Sequence, residues 1–293
     1  MTVESTELHG SAEAGRDQLR KLIVRRINDS SFRLPPLPGV AERLMQASGS
    51  ASSADLAKIV MNDQALTSNV VRFANSAYYG GVHRCDTLAS AITRIGALQV
   101  QMLAMGYSLL QRQGKKDPFG NERQQLAEHS IGTAYLCGML AEASGFTHAE
   151  SAFLGGLLHD VGQLIIYLVL SGDQTPAAAP EWSKADLAAV VADYHTVTGA
   201  VAVKAWNLYP WLSEVTRFHH EFQSAAEEKR LVALVALGNR LAHRYGIGCE
   251  PVELELMADG IGEAAACTVQ HLERVASRLD QVRDLVRQIS AAR

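Results

Sequence analysis

Gly155-Gly156-Leu157-Leu158-His159-Asp160-Val161-Gly162 sets a histidine and an aspartate side by side in an otherwise apolar stretch. Upstream, Thr147 and Glu150 have the spacing of a capping box, which predicts a helix starting there and running towards His159. Ala152, Phe153 and Leu157 form the inward stripe of that helix. Burying two polar side chains among such neighbours is costly unless they bond something. A divalent metal ion is one partner, since it accepts both imidazole nitrogen and carboxylate oxygen. A pair of core hydrogen bonds is the other.

Working outward, helical spacing recurs almost everywhere, and the class it predicts is all-α. Leu19, Leu22, Ile23 and Ile27 mark a first helix over 16–28, after a loose tail over 1–15. Leu34-Pro35-Pro36-Leu37-Pro38 forbids a helix interior and reads as an extended strap. Helices follow over 40–47 and 54–60, the second capped by Ser52 or Ser53. Another starts at Asp63 with Leu66, Val70 and Phe73 on one face, and Asn75-Ser76-Ala77-Tyr78-Tyr79-Gly80 ends it in a turn. The next starts at Asp86 or Thr87 and stops at Gly96, before a nearly all-apolar helix over 98–110. Gly114 to Gly120 is the clearest internal linker.

Beyond it, helices are expected over 125–144, around His159, over 164–170, after a Ser183 cap, from Pro210, and over 227–245. Near the end, Leu272, Val275, Leu279, Val282, Val286 and Ile289 alternate spacings of three and four. Such a stripe either packs back on the body or makes a helix-to-helix homodimer contact.

The totals bound the answer. The chain has 293 residues, 47% hydrophobic and 20% charged, which is ample for a buried core. A net charge of -4 and no long Lys/Arg block argue against nucleic acid as a main partner. Cys85, Cys137, Cys249 and Cys267 form no CxxC pair, which fits a reducing compartment rather than a disulfide framework or structural zinc site. Residues 1–15 do not read as a signal peptide, and Leu164 to Leu170 is too short to cross a bilayer, so a soluble, cytoplasmic chain is expected.

Six histidine and aspartate residues sit on apolar helices after residue 120: His129, His159, Asp160, His195, His219 and His220. His148 reads as a surface cap and His243 as helix surface. Several such residues on separate helices point to a shared pocket.

This pattern resembles the HD superfamily of metal-dependent phosphohydrolases. More closely, the span from Ser31 to Tyr245 resembles the HDOD family, its output-type branch in bacterial signalling proteins. The matching stretches are Leu34 to Pro38, Asn62-Asp63-Gln64-Ala65-Leu66-Thr67, Ala74 to Gly80, Ile95-Gly96, Glu128-His129-Ser130, Leu157 to Gly162, His219-His220 and Gly238-Asn239-Arg240-Leu241-Ala242. The resemblance implies a multi-helix HD-like bundle. It would comprise an N-terminal helical part over 16–120, an HD-like core over 121–246, and C-terminal helices over 247–293. It also implies His129, His159 and Asp160 as ligands of one metal, with His195, His219 and His220 where a second metal would add histidines. Iron, manganese and zinc suit such donors.

Three departures remove charge from that pocket. Asn239 stands where the family's distal aspartate is expected, Gln163 where a lysine usually follows, and Gln125 where two-metal enzymes place a glutamate. They predict weak or absent metal affinity and poor phosphoester chemistry. Three readings follow. The first is a non-catalytic signalling module that binds a protein partner or a small nucleotide-like ligand, with Gln125, Gln163 and Asn239 in its pocket. The second is a metal-dependent phosphohydrolase using His159 and Asp160. The third is a structural scaffold whose contact surfaces are the Tyr78-Tyr79 turn and the C-terminal stripe.

Overall fold

Local chemistry starts the helices where the sequence places caps. In the computed structural model, Ser52, Asp63, Thr87 and Ser183 each accept a hydrogen bond from the backbone N–H three residues on, and Pro210 occupies the first helical turn. The structure describes residues 16–25, 39–47, 51–76, 79, 83–97, 99–101, 103, 104, 118–171 and 183–290, and among these no strand occurs. In chain order the helices are α1 over 16–25, α2 Gly39–Gln46, α3 Ser53–Val60, α4 Gln64–Ala74 and α5 Leu88–Ile95. Next comes α6, described at 97, 99–101, 103 and 104. Then follow α7 Gly120–Ala143, α8 Ala149–Leu158, α9 Val161–Leu170, α10 Lys184–Ala205, α11 Pro210–Phe218 and α12 Lys229–Arg244. The chain closes with α13 Ile261–Ala265, α14 Val269–Ala276 and α15 Leu279–Ser290. The proline strap, the tail, residues 114–117 of the linker, Tyr78 and most of the 98–110 helix lie outside the described residues.

α7 is the axis of the bundle. From Ile131 to Ala141 it is buried on every side, and α8, α12, α14 and α15 pack around it. It begins at Gly120, five residues before the sequence reading, where Phe119 stacks on Tyr167 with ring centres 5.4 Å apart. The Thr147–Glu150 capping box does not form: His148 occupies the N-cap of α8 and makes no side-chain cap bond. The reason is the tight turn after α7, closed by Phe146 N–H donating to Ala141 O at 2.8 Å, which brings the chain into α8 one residue later.

Two glycines of the opening motif fix how the central helices meet. A Cβ at Gly156 would lie 2.8 Å from Thr133 O and Ala134 Cα of α7. A Cβ at Gly162 would lie within 2.6 Å of Gly199 N and closer still to His195 O. Backbone therefore approaches backbone on both sides of His159-Asp160, and the pair is held between α7 and α10.

An aromatic cluster joins the two parts expected on either side of residue 120. Phe73 of α4 stacks on Tyr135 of α7 at 5.4 Å, and Phe153 of α8 meets both edge-on at 5.9 and 5.2 Å. Ion pairs from α1 to α10, Arg16–Asp186 and Arg20–Asp193, each 2.7 Å, add to the join.

The C-terminal stripe forms two helices, broken at Ser277 and Arg278, not one heptad run. All six of its apolar residues are buried, and α14 and α15 lie against α7. Each such side chain contributes roughly 1.5–3 kcal/mol by leaving water. Of the two readings of this stripe, packing back on the body accounts for its buried residues.

Across α8 and α9, Ala149–Leu170 forms a 22-residue apolar stretch, longer than the Leu164–Leu170 run read from sequence. By length and composition it could cross a membrane, but 89% of its most apolar window is buried within the fold, as a core helix pair would be.

Candidate metal centre

Five elements deliver the polar residues to one place. His129 comes from the third turn of α7, and His159 and Asp160 form the junction between α8 and α9. His195 lies midway along α10, His219 and His220 follow the end of α11, and Asn239 lies on α12. Apart from exposed His220, every one of these side chains is buried.

Backbone carbonyls decide which ring nitrogen carries the proton. Nδ1 of His159 faces Gly156 O at 2.8 Å, Nδ1 of His195 faces Ala192 O at 2.9 Å, and Nδ1 of His219 faces Thr216 O at 3.1 Å. Nδ1 of His129 likewise faces Ile247 O at 3.1 Å. A carbonyl oxygen can only accept, so each Nδ1 holds the hydrogen and each Nε2 presents a lone pair.

Those lone pairs converge on Asp160. His159 Nε2 is 3.3 Å from Oδ2, while His195 Nε2 and His219 Nε2 are 3.3 and 3.4 Å from Oδ1. The Nε2 atoms of His195 and His219 face each other at 3.4 Å, and His220 Nε2 is 3.2 Å from that of His195. His159 Nε2 and Asp160 Oδ1 have no hydrogen-bond partner among the described residues. Mutually facing acceptors repel, and burial removes the water that would screen them. A cation between them reverses the sign of the interaction. The donors form two sets that share Asp160: His129 and His159 on one side, and His195, His219 and His220 on the other.

The electrostatics carry the same imprint. Burial pushes His129 and His219 down to about 4. For His159, burial also acts downward, but the Asp160 carboxylate outweighs it and raises the imidazole above its ordinary value. Burial alone would raise Asp160, yet His159, His219 and His195 together hold it well below the usual carboxylate range.

Of the three residues expected in a ligand pocket, two touch the donors. Gln163 Nε2 donates to Asp160 Oδ2 at 2.7 Å. Asn239 Oδ1 lies 2.9 Å from His129 Nε2, a separation that suits two ligands of one ion. Gln125 corrects the sequence reading: it is exposed one turn before His129 and does not share the burial of the cluster.

His243 also departs from its expected place on the helix surface. It is half-buried, its ring centre is 4.7 Å from that of His129, and its Nδ1 is 3.4 Å from Cys249 Sγ. The signal was its spacing: Asn239 and His243 are four apart, hence on one face of α12.

Comparison with known proteins agrees with this architecture. A chain from Geobacter sulfurreducens, described as an HDOD domain protein of unknown function, superposes with a TM-score of 0.67 at 19% identity, covering 93% of this chain and 98% of that one. A candidate metal-dependent phosphohydrolase from Shewanella amazonensis SB2B superposes with a TM-score of 0.68 at 20% identity, covering 95% of this chain and 99% of that one. An uncharacterized protein of Treponema pallidum (strain Nichols) is 27% identical over 248 residues, or 80% of this chain. The match covers only 46% of that relative's length. The family model for the HDOD domain matches residues 34–222, which takes in every candidate donor except Asn239 on α12. The chain belongs to the HDOD family.

Proposed function

We propose that this chain is a regulatory HDOD module whose histidine–aspartate centre binds divalent transition-metal ions and acts in signalling through a partner, without phosphoester turnover. The observation that carries the metal is the set of buried Nε2 lone pairs facing Asp160, each fixed by a carbonyl on the opposite ring nitrogen. Nitrogen and oxygen donors without sulfur suit manganese, iron or zinc. His129, His159, Asp160, His195, His219 and His220 would hold the ions, with Asn239 as a neutral oxygen donor. A bound ion would supply a Lewis acid at Asp160.

The case against turnover rests on charge and access. Asn239 adds no carboxylate, and Gln163 engages Asp160 Oδ2 where a cation would meet a phosphoryl group. The donors other than His220 are buried, so a phosphoester has little surface to approach. A structural neighbour from Marinobacter aquaeolei VT8, described as a candidate signal transduction protein, is compatible with a regulatory role at the level of fold.

A phosphohydrolase is the second reading, favoured by the two donor sets that share Asp160, since paired metals bridged by a carboxylate drive in-line displacement. Elemental analysis of protein purified without added metal or affinity tag, beside His159→Ala, tests both. Our reading expects near-stoichiometric metal that the variant loses, and no hydrolysis of bis-p-nitrophenyl phosphate by the loaded protein. Robust turnover establishes the second reading, and absence of metal from both samples ends both.

A further inference from the structure

Far from the histidines in sequence, α4, the segment 83–95 and the last turns of α15 enclose a cleft of about 450 Å3. Arg72, Arg84 and Arg94 line it together with His83, and no lining residue among those described is acidic. In a chain with a net charge of -4, three guanidinium groups around one cleft are a local inversion of sign. Gathering like charges opposes folding, and an anion bound among them reverses that effect.

The cations are also positioned. Arg94 Nη1 donates to Ala74 O at 3.1 Å and its Nη2 to His83 O at 2.5 Å, while Arg72 Nη1 donates to Gln288 O at 2.5 Å. Each guanidinium has five N–H donors, so these bonds anchor the heads and leave further donors. Asn75, the first residue of the Asn75-Ser76 turn, clamps the opposite wall. Its Oδ1 accepts from Cys85 N at 2.8 Å and its Nδ2 donates to Cys85 O at 3.0 Å, which sets the backbone beside exposed Arg84. The nearest acid on α15, Asp284, is already paired with Arg287 at 3.1 Å.

Arginine's planar fork matches phosphoryl oxygens in pairs, and the cleft volume falls in the range of small-molecule sites. Leu285 gives one wall an apolar surface on which a ring could rest. We propose that this cleft binds a phosphorylated small molecule of nucleotide size, through Arg72, Arg84 and Arg94. Such a ligand spans the seam between α4 and α15 and shares no lining residue with the candidate metal centre, and the site does not rest on the metal reading.

Calorimetric titration of the full chain with ADP and with pyrophosphate, in EDTA to silence the metal centre, tests this. Saturable binding of either probe at or below about millimolar concentration is expected. Arg84→Ala, whose head anchors no backbone carbonyl among the described residues, should weaken it at least about tenfold, and His159→Ala should leave it unchanged. Arg84→Lys should fall between wild type and alanine, because it keeps the charge and loses the fork. Failure of both probes to bind, equal binding by Arg84→Ala, or loss of binding in His159→Ala overturns the proposal.

Discussion

Glu214 shows how much one carboxylate can organise. It accepts the backbone N–H groups of Ala226, Glu227 and Glu228 at 2.5, 3.0 and 2.8 Å, in the turn that leads into α12. Burial alone would raise its pKa, but these three donors hold it below the ordinary glutamate value. A depressed acid contributes stability above its unfolded pKa, and that contribution is lost as pH falls through the lower folded value. Glu214→Gln should therefore flatten the acid limb of the stability curve, read as urea midpoint against pH. Glu214→Ala should cost about 1–3 kcal/mol at neutral pH in the same urea titration. At the metal centre, Asn239→Asp restores a charge 2.9 Å from His129 Nε2, and metal affinity measured by chelator competition should rise about tenfold or more. Single residues were unevenly legible. His129, His159 and His195 stand out because an imidazole on an apolar helix needs a reason. His243 hides because Arg244 and Arg240 make its neighbourhood read as solvent. The bonds of Glu214 depend on a turn that no spacing rule reaches.

Among the elements, close approach controls more than propensity. Gly162→Ala would drive a methyl group into the backbone of α10 at His195 and Gly199, with neither side able to yield. A loss of about 3 kcal/mol or more is expected in chemical denaturation, together with reduced metal content as His195 shifts. The helix starts at Ser52, Asp63, Thr87 and Ser183 were readable because a cap is a local bond. The start of α8 was not, because the turn at Gly145 and Phe146 is set by how α7 and α8 pack. The C-terminal break escaped for a related reason. Leu279 keeps a spacing of four from Val275, so the apolar pattern runs straight through Ser277 and Arg278 where the backbone does not.

On the scale of the whole molecule, α14 and α15 close the core over α7. Removing residues 268–293 strips seven buried apolar side chains from that interface and uncovers α7. The truncated chain should show a lower melting temperature and a concentration-dependent rise in mass by light scattering. The all-α class was legible from periodicity alone, since the same spacing recurs across the sequence. The joining of the N-terminal part to the core was not, because Phe73, Tyr135 and Phe153 are separated by tens of residues and meet only in three dimensions. The helix junction at His159-Asp160 also has a topological side. Residues from 129 to 239 reach this point from five elements, so an ion seated there would act as a knot tied in the middle of the chain. Cross-linking of that reach restricts the unfolded chain more than the folded one. The stretch between α7 and α12 should accordingly open, and become cleavable by protease, in step with metal removal.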